Sequence, residues 1–422
     1  MTNSTRDDAA VLLKRLFLTA VAAADPGATL RQALLNERRR PAIVLALGKA
    51  APAMAHALED SWDAPLSGLV VAPQGAMFES NSLDVIGASH PIPDHMSVLA
   101  GERMLALART APKERLVVVL LSGGASALAA APIDGVSLDE KARLTEKLIR
   151  SGASITEINR VRTCLSRIKG GGLRRARGDG PLSTYVVSDV PGNDPAIVGS
   201  GPTIAVPSPL DAAWETLSRH DLHTPHLRAA MERAARKTNP ARIAAPTVLR
   251  TIVTAKAALT AAAQEARCKG WKCVDFGDAL EGEATQVATW MAAQIDRHWK
   301  PGERVILLSG GELTVTHGGG GIGGPNQEFA LALALALRGR TGVHAIACDT
   351  DGVDGALHPD GPVAGALVGP HTLDKARALG IDAATLLARH QSGEFFRQLG
   401  DRVLTGPTGT NVNDFRAILI LP

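Results

Sequence analysis

Short apolar runs alternate along the chain with longer segments of helical periodicity. Ten runs rich in valine, isoleucine and leucine predict strands at 42–47, 68–72, 83–88, 116–121, 184–190, 248–254, 272–277, 304–309, 344–350 and 416–421. Patterns between them predict helices at 49–60, 97–109, 138–150, 255–270, 283–298 and 326–338. Because most of the strand runs lack polar alternation, we expect strands buried on both faces, as in three-layer α/β architecture.

The segment 204–247 interrupts this alternation. It contains five prolines and three histidines, His220, His223 and His226, spaced by three residues. A metal cluster and a surface helix end with a turn are both open, and Pro225 inside the triplet favours the turn. Since 422 residues exceed one ordinary core, we place a boundary here and predict domains at 1–240 and 241–422.

Composition narrows the class of protein. Hydrophobic residues make up 45% and charged residues 21%, which is ordinary for a globular chain, and a net charge of +3 gives no case for nucleic acid. The N-terminal apolar stretch is interrupted by Lys14 and Arg15, so it predicts an amphipathic helix and not a signal peptide. Four scattered cysteines argue against a disulfide framework. We expect a cytoplasmic protein without a membrane or nucleic-acid partner; a homodimer is one candidate oligomeric state.

Candidate chemistry gathers where predicted strands end, which is where open α/β sheets bind ligands. Lys49 follows the first strand at a helix start, a place that favours anions, although a solvated lysine is the alternative. Ser122, Gly123 and Gly124 follow the fourth strand, with Ser126 close behind. They either offer donors to phosphate or make a tight turn.

Two further segments carry charge near these ends. Asp189 follows a strand in "VVSDVPGNDPAIVGSGPT", where a carboxylate suits Mg²⁺ or a general base acting on an alcohol, unless it caps a turn. The segment 157–176 contributes Arg160, Arg162, Arg167 and Lys169. Such side chains suit carboxylates and phosphates, or they form a cationic surface helix.

Two loops remain open between structural and functional roles. His90 and Asp94 lie in the proline-rich "ASHPIPDHMS", which is either a shaped lid or a structural turn. Asp349, Asp351 and Asp354 follow another strand, but their spacing fails the EF-hand pattern.

A glycine-rich stretch before a predicted helix is also compatible with the dinucleotide-binding loop of a dehydrogenase. Gly318, Gly320 and Gly323 satisfy GxGxxG, but a glycine run matches that pattern in several registers. The downstream acid, Asp349, lies about thirty residues on, where the fingerprint expects about twenty. The lysine, glycine loops and carboxylates together suit phosphoryl transfer better.

Two more motifs lie in the second half. "RVILLSGGELTV" repeats the strand-then-Ser-Gly-Gly pattern of "LVVVLLSGGASA". The polar segment "TGPTGTNVND" before the last strand looks like a ligand-lining loop.

Taken together, the chain resembles the class II glycerate kinases, the glycerate 2-kinases with a C-terminal MOFRL domain, which are often named hydroxypyruvate reductases. The resemblance rests on ten motifs in order: "LGKAAPAM", "SHPIPD", "LSGGASAL", "EINRVRTCLSRIKGG", "VVSDVPGNDPAIVGSGPT", "LSGGE", "GGPNQEFAL", "DTDGVDG", "AGA" and "TGPTGTNVND". They span nearly the whole chain, so the resemblance is more specific than any one glycine loop.

The resemblance implies two three-layer α/β/α domains. The N-terminal one would be Rossmann-like with a mainly parallel sheet, the MOFRL-containing one would have a mixed sheet, and the active site would lie in the cleft between them. It also implies phosphorylation of D-glycerate to 2-phospho-D-glycerate with ATP and Mg²⁺.

The residues of this chain that match these roles fall into four sets. Lys49 and Asp189 are the catalytic candidates, and Asp189 and Asp351 are the metal candidates. The substrate-binding candidates are Ser122, Ser126, Arg162 and Lys169. The nucleotide-binding candidates are Gly123, Gly124, Ser309, Gly310, Gly311, Glu312, Gly323, Gly324, Asn326, Gln327, Glu328, Thr408, Asn411 and Asn413.

One departure from the family stands out. Many relatives have arginine where this chain has Pro325. If that arginine stabilises the transferred phosphate, Arg162 or Lys169 must replace it here. Two alternatives stay open. The GxGxxG match and the naming of the family favour an NAD(P)-dependent hydroxypyruvate reductase, and Pro325 favours a catalytically silent relative that binds nucleotide.

Overall fold

The computed structural model describes residues 3–35, 37, 39–76, 78–205, 210–237, 246–316, 320–355 and 360–422. The chain packs as two units. The first is Pro26–Ile252, and the second combines Met1–Asp25 with Val253–Pro422. We describe each by itself as the N-terminal unit and the C-terminal unit.

The N-terminal unit is built on one six-stranded sheet in the order β3-β2-β1-β4-β5-β6. The pairs β1–β2, β2–β3, β1–β4 and β4–β5 are all parallel. The strands are β1 (Ala42–Leu47), β2 (Leu66–Pro73), β3 (Asp84–Ala88), β4 (Leu116–Leu121), β5 (Leu182–Val187) and β6 (Val248–Val253). Strands β4 and β5 are buried along their whole length, as their unbroken apolar runs predict.

Helices surround this sheet, and several begin at capping residues. Asp94 forms a capping box with Ser97, and Ser154 forms another with Glu157. The helices of this unit are α2 (Pro26–Leu34), α3 (Ala51–Ser61), α4 (His95–Thr110), α5 (Ala125–Leu128), α6 (Leu138–Arg150), α7 (Ile155–Cys164), α8 (Gly172–Arg177), α9 (Leu210–Arg219) and α10 (Pro225–Arg236).

The segment that interrupts the sequence pattern is more regular than expected. Its described part forms α9 and α10, whose buried side chains pack with α6 and α7 in a second apolar cluster. His220 directly follows α9, His223 lies in the connection to α10, and His226 lies in the first turn of α10. Among the described residues, no group of three or more histidine, cysteine or acidic side chains is arranged to hold a metal ion.

The C-terminal unit has a mixed sheet in the order β13-β12-β11-β14-β9-β7, as expected. Among the described strands of this sheet, β7 and β9 pair in parallel, and the other pairs are antiparallel. The strands are β7 (Lys272–Asp275), β9 (Val305–Ser309), β11 (Val343–Asp349), β12 (Gly365–Val368), β13 (Arg402–Val403) and β14 (Asp414–Ile420). Strands β8 (Gly282–Glu283) and β10 (Leu313–Thr314) form a separate parallel pair.

The helices of this unit include the first one in the chain. They are α1 (Asn3–Ala23), α11 (Ala255–Cys268), α12 (Ala284–His298), α13 (Pro325–Leu337), α14 (Thr372–Ala378), α15 (Ala383–Ala388) and α16 (Ser392–Leu399). In α13, all residues from Asn326 to Ala334 are buried, so this helix lies in the core of the unit. No helix in the described ranges is both long enough and apolar enough to cross a membrane.

The first helix packs with the C-terminal unit, not with the unit that follows it in the chain. Leu13, Leu16 and Phe17 of α1 are fully buried, and the Phe17 ring lies 5.8 Å from that of Phe415 in β14. The expected domains instead group residues 1–25 with the first sheet. Their boundary near residue 240 falls within 238–245, outside the described residues.

Candidate active site

Three loops leave the carboxyl ends of neighbouring strands in the N-terminal unit. Strand β1 lies between β2 and β4, so the strand order reverses direction beside β1. A switch point of this kind leaves a crevice outside the strand ends where ligands bind in open α/β sheets. Lys49 follows β1, Ser122 follows β4 and Asp189 follows β5.

Backbone hydrogen bonds join the first two of these loops. The Lys49 N–H donates to the Gly123 carbonyl over 2.9 Å, and the Ser122 N–H donates to the Leu47 carbonyl over 3.0 Å. The Ala50 N–H donates to the Ser122 hydroxyl oxygen, also over 3.0 Å. Ser122, predicted to bind substrate, is buried. Because its hydroxyl accepts the Ala50 N–H, it holds the Lys49 loop in place.

The glycines after β4 allow other groups to approach closely. A Cβ atom on Gly123 would collide with the Asp189 carboxylate. A Cβ on Gly124, whose φ is +79°, would lie 3.3 Å from Lys49 Cγ and 3.1 Å from the His90 ring. The Ser-Gly-Gly turn therefore gathers the lysine, the carboxylate and the histidine at one place.

The electrostatic environment of Asp189 favours a base. Burial raises the pKa of this carboxyl above 3.8, while its own backbone N–H and the charge of Lys49 act in the opposite direction. A carboxylate with a raised pKa is a stronger base than an exposed one. Lys49 and Asp189 thus interact electrostatically. Their catalytic roles stay predictions.

Asp94 and His90 lie in the same loop but in different environments. Asp94 is structural, because its carboxylate accepts the Ser97 N–H over 2.9 Å and the Ser89 hydroxyl over 2.9 Å. Although burial opposes them, these hydrogen bonds lower its pKa to about 2. His90 is exposed beside Gly124, so it is a candidate site residue that the sets predicted from sequence leave out. The available signal was "SHPIPD", which was left open between a lid and a turn.

The predicted substrate residues Ser126 and Lys169 lie next to the Ser-Gly-Gly turn after β4. Lys169 is buried, and its Nζ donates to Ser126 Oγ over 2.7 Å and to Ser200 Oγ over 3.2 Å. Arg162 donates to Asn159 Oδ1 over 3.3 Å. Burial lowers the pKa of Lys169 well below its ordinary range, and the charge of Arg162 adds to this effect.

In the C-terminal unit, the second Ser-Gly-Gly turn is packed around a buried arginine. Arg416 donates from Nε to Ser309 Oγ over 3.1 Å and also to the Gly310 carbonyl. It pairs with Asp414 over 2.7 Å, and the Asp414 N–H donates to the Gly311 carbonyl over 3.0 Å. The Ser309 hydroxyl is fully buried and occupied by this network, whereas Glu312 is exposed. A nucleotide contact by these four residues stays a prediction.

The glycine-rich loop leads to a helix start that already holds an anion. The N–H groups of Asn326 and Gln327 donate to the Asp354 carboxylate, each over 2.9 Å. A Cβ on Gly324 would collide with Asp354, which explains why glycine stands there. These N–H groups of α13 therefore do not form an open phosphate cradle, and Gly318 lies outside the described residues.

The remaining nucleotide candidates near this helix are held by the protein. Glu328 is buried and contacts His390 Nδ1 over 2.9 Å. A Cβ on Gly323 would lie 2.7 Å from the Gly393 nitrogen. Pro325 is the first residue of α13, where the missing N–H costs nothing.

The polar C-terminal loop is tied to the acidic loop after β11. The Thr408 hydroxyl donates to the Thr350 carbonyl over 2.6 Å, and the Thr350 N–H donates to the Asn413 carbonyl over 3.0 Å. Asn411 Oδ1 accepts the Asn413 N–H over 3.0 Å. The predicted residues Thr408, Asn411 and Asn413 are thus brought together with Asp351, whose carbonyl accepts the Thr408 N–H.

Three carboxylates, Asp349, Asp351 and Asp414, interact where the acidic loop after β11 meets the polar C-terminal loop. The pKa of Asp349 is raised well above 3.8, first by burial and then by the negative charges of Asp351 and Asp414. Like charges at short range favour binding of a proton or a cation. Asp351, one of our two metal candidates, belongs to this group, and Asp189 belongs to the N-terminal unit.

The Rossmann-like sheet and the loops at its switch point define a ligand-binding α/β protein. Residues 12–236 match the domain of unknown function DUF4147, and residues 305–414 match the MOFRL family. A putative hydroxypyruvate reductase of Agrobacterium vitis is 41% identical over 97% of this chain and 94% of its own length. The glycerate 2-kinase of Pyrococcus horikoshii is 37% identical over 88% and 85%.

A solved structure agrees with these relatives. The crystal structure of glycerate kinase from Thermotoga maritima superposes with a TM-score of 0.85 and 31% identity, covering 98% of this chain and all of that one. The chain therefore belongs to the glycerate kinase family whose members carry a MOFRL domain, and it is an enzyme of that family.

Proposed function

We propose that this enzyme transfers the terminal phosphoryl group of ATP to the 2-hydroxyl of D-glycerate, giving ADP and 2-phospho-D-glycerate. The observation that carries the proposal is the meeting of Lys49 and Asp189 at the switch point of a parallel sheet. Relatives named glycerate 2-kinase and D-glycerate 2-kinase support the acceptor and the position of transfer.

Each of the two residues has a defined task. Asp189 accepts the proton of the 2-hydroxyl, and the 2-oxygen then bonds to the terminal phosphorus while the bond from that phosphorus to the ADP oxygen breaks. The burial that raises the Asp189 pKa makes this carboxylate a suitable base. Lys49 supplies positive charge where negative charge gathers on the transferred group.

The carboxylates present fit a requirement for Mg²⁺. Asp189 in the N-terminal unit and Asp351 in the C-terminal unit are each proposed as a candidate Mg²⁺ ligand, because hard divalent cations take carboxylate oxygens. The described residues contain no preformed group of three such ligands. In kinases one or two carboxylates suffice, since the nucleotide phosphates supply further oxygens. When bound, the ion would neutralise phosphate charge.

A reductase is the second candidate, because relatives at 41% identity carry the name putative hydroxypyruvate reductase. Its sequence support is the GxGxxG match before α13. A dinucleotide fingerprint needs a strand of the main sheet followed by a helix with open N–H groups. Here β10 belongs to a separate two-stranded sheet, and Asp354 occupies the start of α13. The kinase is therefore the better-supported function.

The test is a phosphorus NMR assay with ATP, Mg²⁺ and D-glycerate. We expect loss of ATP together with the signals of ADP and 2-phosphoglycerate. A reaction without glycerate measures background hydrolysis, and the Asp189→Asn variant purified in the same way controls for contaminating kinases.

Each other outcome has a definite meaning. A 3-phosphoglycerate signal would refute the proposed position of transfer while leaving a glycerate kinase. No phosphoester at all would refute the kinase. Oxidation of NADH or NADPH by hydroxypyruvate, measured in parallel, would then favour the reductase.

A further inference from the structure

Three cationic side chains are clustered inside the N-terminal unit. Lys141 on α6 and Lys169 after α7 are 8% and 3% exposed, and Arg162 on α7 is half-buried. None of the three forms an ion pair with a carboxylate among the described residues. Nearby Arg167, in contrast, pairs with Glu102. The fold thus pairs one cation of this region and leaves three without a counter-charge.

Burial of unpaired positive charge is unfavourable. Burial and, to a smaller extent, the charge of Arg162 together lower the pKa of Lys141 to about 7. The pKa of Lys169 is lowered in the same way, first by burial and then by the charges of Arg162 and Lys141. The three groups therefore repel one another, and a bound anion would relieve the repulsion.

Hydrogen bonds place this cluster beside the catalytic loops. Lys169 reaches Ser126, which follows the Ser-Gly-Gly turn, and Ser200, which follows the Asp189 loop. The two hydroxyls lie 3.1 Å apart. The Gly170 N–H donates to the Ser200 carbonyl over 2.9 Å, which fixes the two segments together. Ser200 has a φ of 62°, an unfavourable conformation for a residue other than glycine, which the surrounding contacts must maintain.

We propose that Lys141, Arg162 and Lys169 bind the carboxylate of the acid substrate, with Ser126 and Ser200 beside it. The inference rests on the proposed function for the identity of that acid. It adds Lys141 and Ser200 to the predicted substrate residues and assigns the cluster to the carboxylate, not to a phosphoryl group. A planar guanidinium matches carboxylate geometry, and Lys49 remains for the phosphoryl group.

The test uses calorimetric binding of D-glycerate to the full chain without nucleotide, so that it does not depend on turnover. Glycerol, which lacks the carboxylate, should not bind. Lys141→Met should weaken D-glycerate binding on the order of tenfold to a hundredfold. Lys147→Met is the matched control, because Lys147 is exposed on the same helix, and it should bind like the wild type.

Two further readouts separate binding from a structural role. Removal of an uncompensated buried charge should raise the melting temperature of Lys141→Met in the absence of ligand, whereas loss of a structural lysine would lower it. An anion beside Lys141 should raise the lowered pKa again. Binding above pH 7 should therefore take up protons in the wild type and fewer in Lys141→Met, as measured in buffers of different ionisation enthalpy.

The results also distinguish this inference from the kinase proposal. Binding that depends on Lys141 without kinase activity would retain the carboxylate site and refute the reaction. Kinase activity with unchanged D-glycerate binding in Lys141→Met, or a lower melting temperature, would overturn the site and leave the reaction. Inorganic phosphate that binds in a Lys141-dependent manner without competing with D-glycerate would refute the carboxylate assignment.

Discussion

At the scale of single residues, the environment of Asp189 sets its chemistry. Asp194, five positions later, is exposed and its Oδ1 accepts the Ala196 N–H, so it acts as a turn cap. Asp189 lies against Gly123, and burial raises its pKa. Two aspartates of one loop thus lie in different environments, for reasons that their sequence positions do not show.

This difference predicts the pH dependence of the reaction. A base must be deprotonated to act, so kcat should fall as the pH falls through the Asp189 pKa, which lies above 3.8. Asp189→Asn should lower kcat by roughly 10²–10⁴-fold and remove this acid limb. The measurement is kcat as a function of pH at saturating ATP and D-glycerate.

Asp194→Asn is the control for the same loop and should retain the wild-type profile. If Asp189→Asn kept a kcat within tenfold of the wild type with its acid limb intact, Asp189 would not be the base.

At the scale of elements, the glycine-rich start of α13 binds a carboxylate of the protein itself. Glycines before a helix predicted a phosphate loop, since helix N-termini attract anions. The anion is Asp354, whose carboxylate accepts two N–H groups and the side-chain amide of Gln327. From the sequence alone, Asn326 and Gln327 are assigned to the nucleotide and are not paired with Asp354.

Removal of this cap should weaken the C-terminal unit. Asp354→Ala leaves two buried N–H groups without acceptors, so the free energy of unfolding should drop by about 2 kcal/mol or more. Urea unfolding followed by circular dichroism measures the loss.

Asp382 provides a matched comparison, because it caps α15 in the same unit and is exposed. Asp382→Ala should cost less, since water can replace the lost acceptor. Equal losses for the two variants would contradict the importance of burial at Asp354.

At the scale of the whole molecule, the first 25 residues pack with the unit that closes the chain. The apolar stripe of α1 is covered by α11 and β14. The Thr410 hydroxyl donates to the Ala24 carbonyl over 2.6 Å, which joins the end of this segment to the polar C-terminal loop. Stability of the C-terminal unit should therefore depend on the N-terminus of the chain.

Phe17→Ala tests this dependence. The side chain is fully buried against Phe415, so its loss should cost about 3–5 kcal/mol. Hydrogen exchange measured by mass spectrometry should become faster in peptides from α11 and β14 and stay unchanged in those from β1 and β4.

Leu18→Ala controls for the helix itself, because Leu18 is 52% exposed. It should leave exchange near the wild-type rate. Faster exchange in β1 and β4 of Phe17→Ala would contradict the packing of α1 with the C-terminal unit.

The apolar pattern by itself determined most of the regular structure. Each of the ten predicted strands and six predicted helices overlaps an element of the fold. Burial on both faces explains the unbroken apolar runs of β4, β5 and β9. The same expectation is wrong for β3, β6 and β7, which have exposed positions. Strands β8, β10, β12 and β13 were missed since they are two to four residues long, too short to show a period. Lys49 and Asp189 could be predicted as catalytic candidates from sequence because strand ends are visible in the pattern, and the structure places both at strand ends.

Only the tertiary structure decided which distant side chains come into contact and how that contact and burial shift their pKa values. Lys141 reads as one more charged residue of an amphipathic helix, yet it is buried beside Arg162 and Lys169. The start of α13 reads as a phosphate loop until Asp354 is brought to it. Contacts between distant residues and the burial that shifts their pKa values depend on the packing of many elements, which no local pattern records.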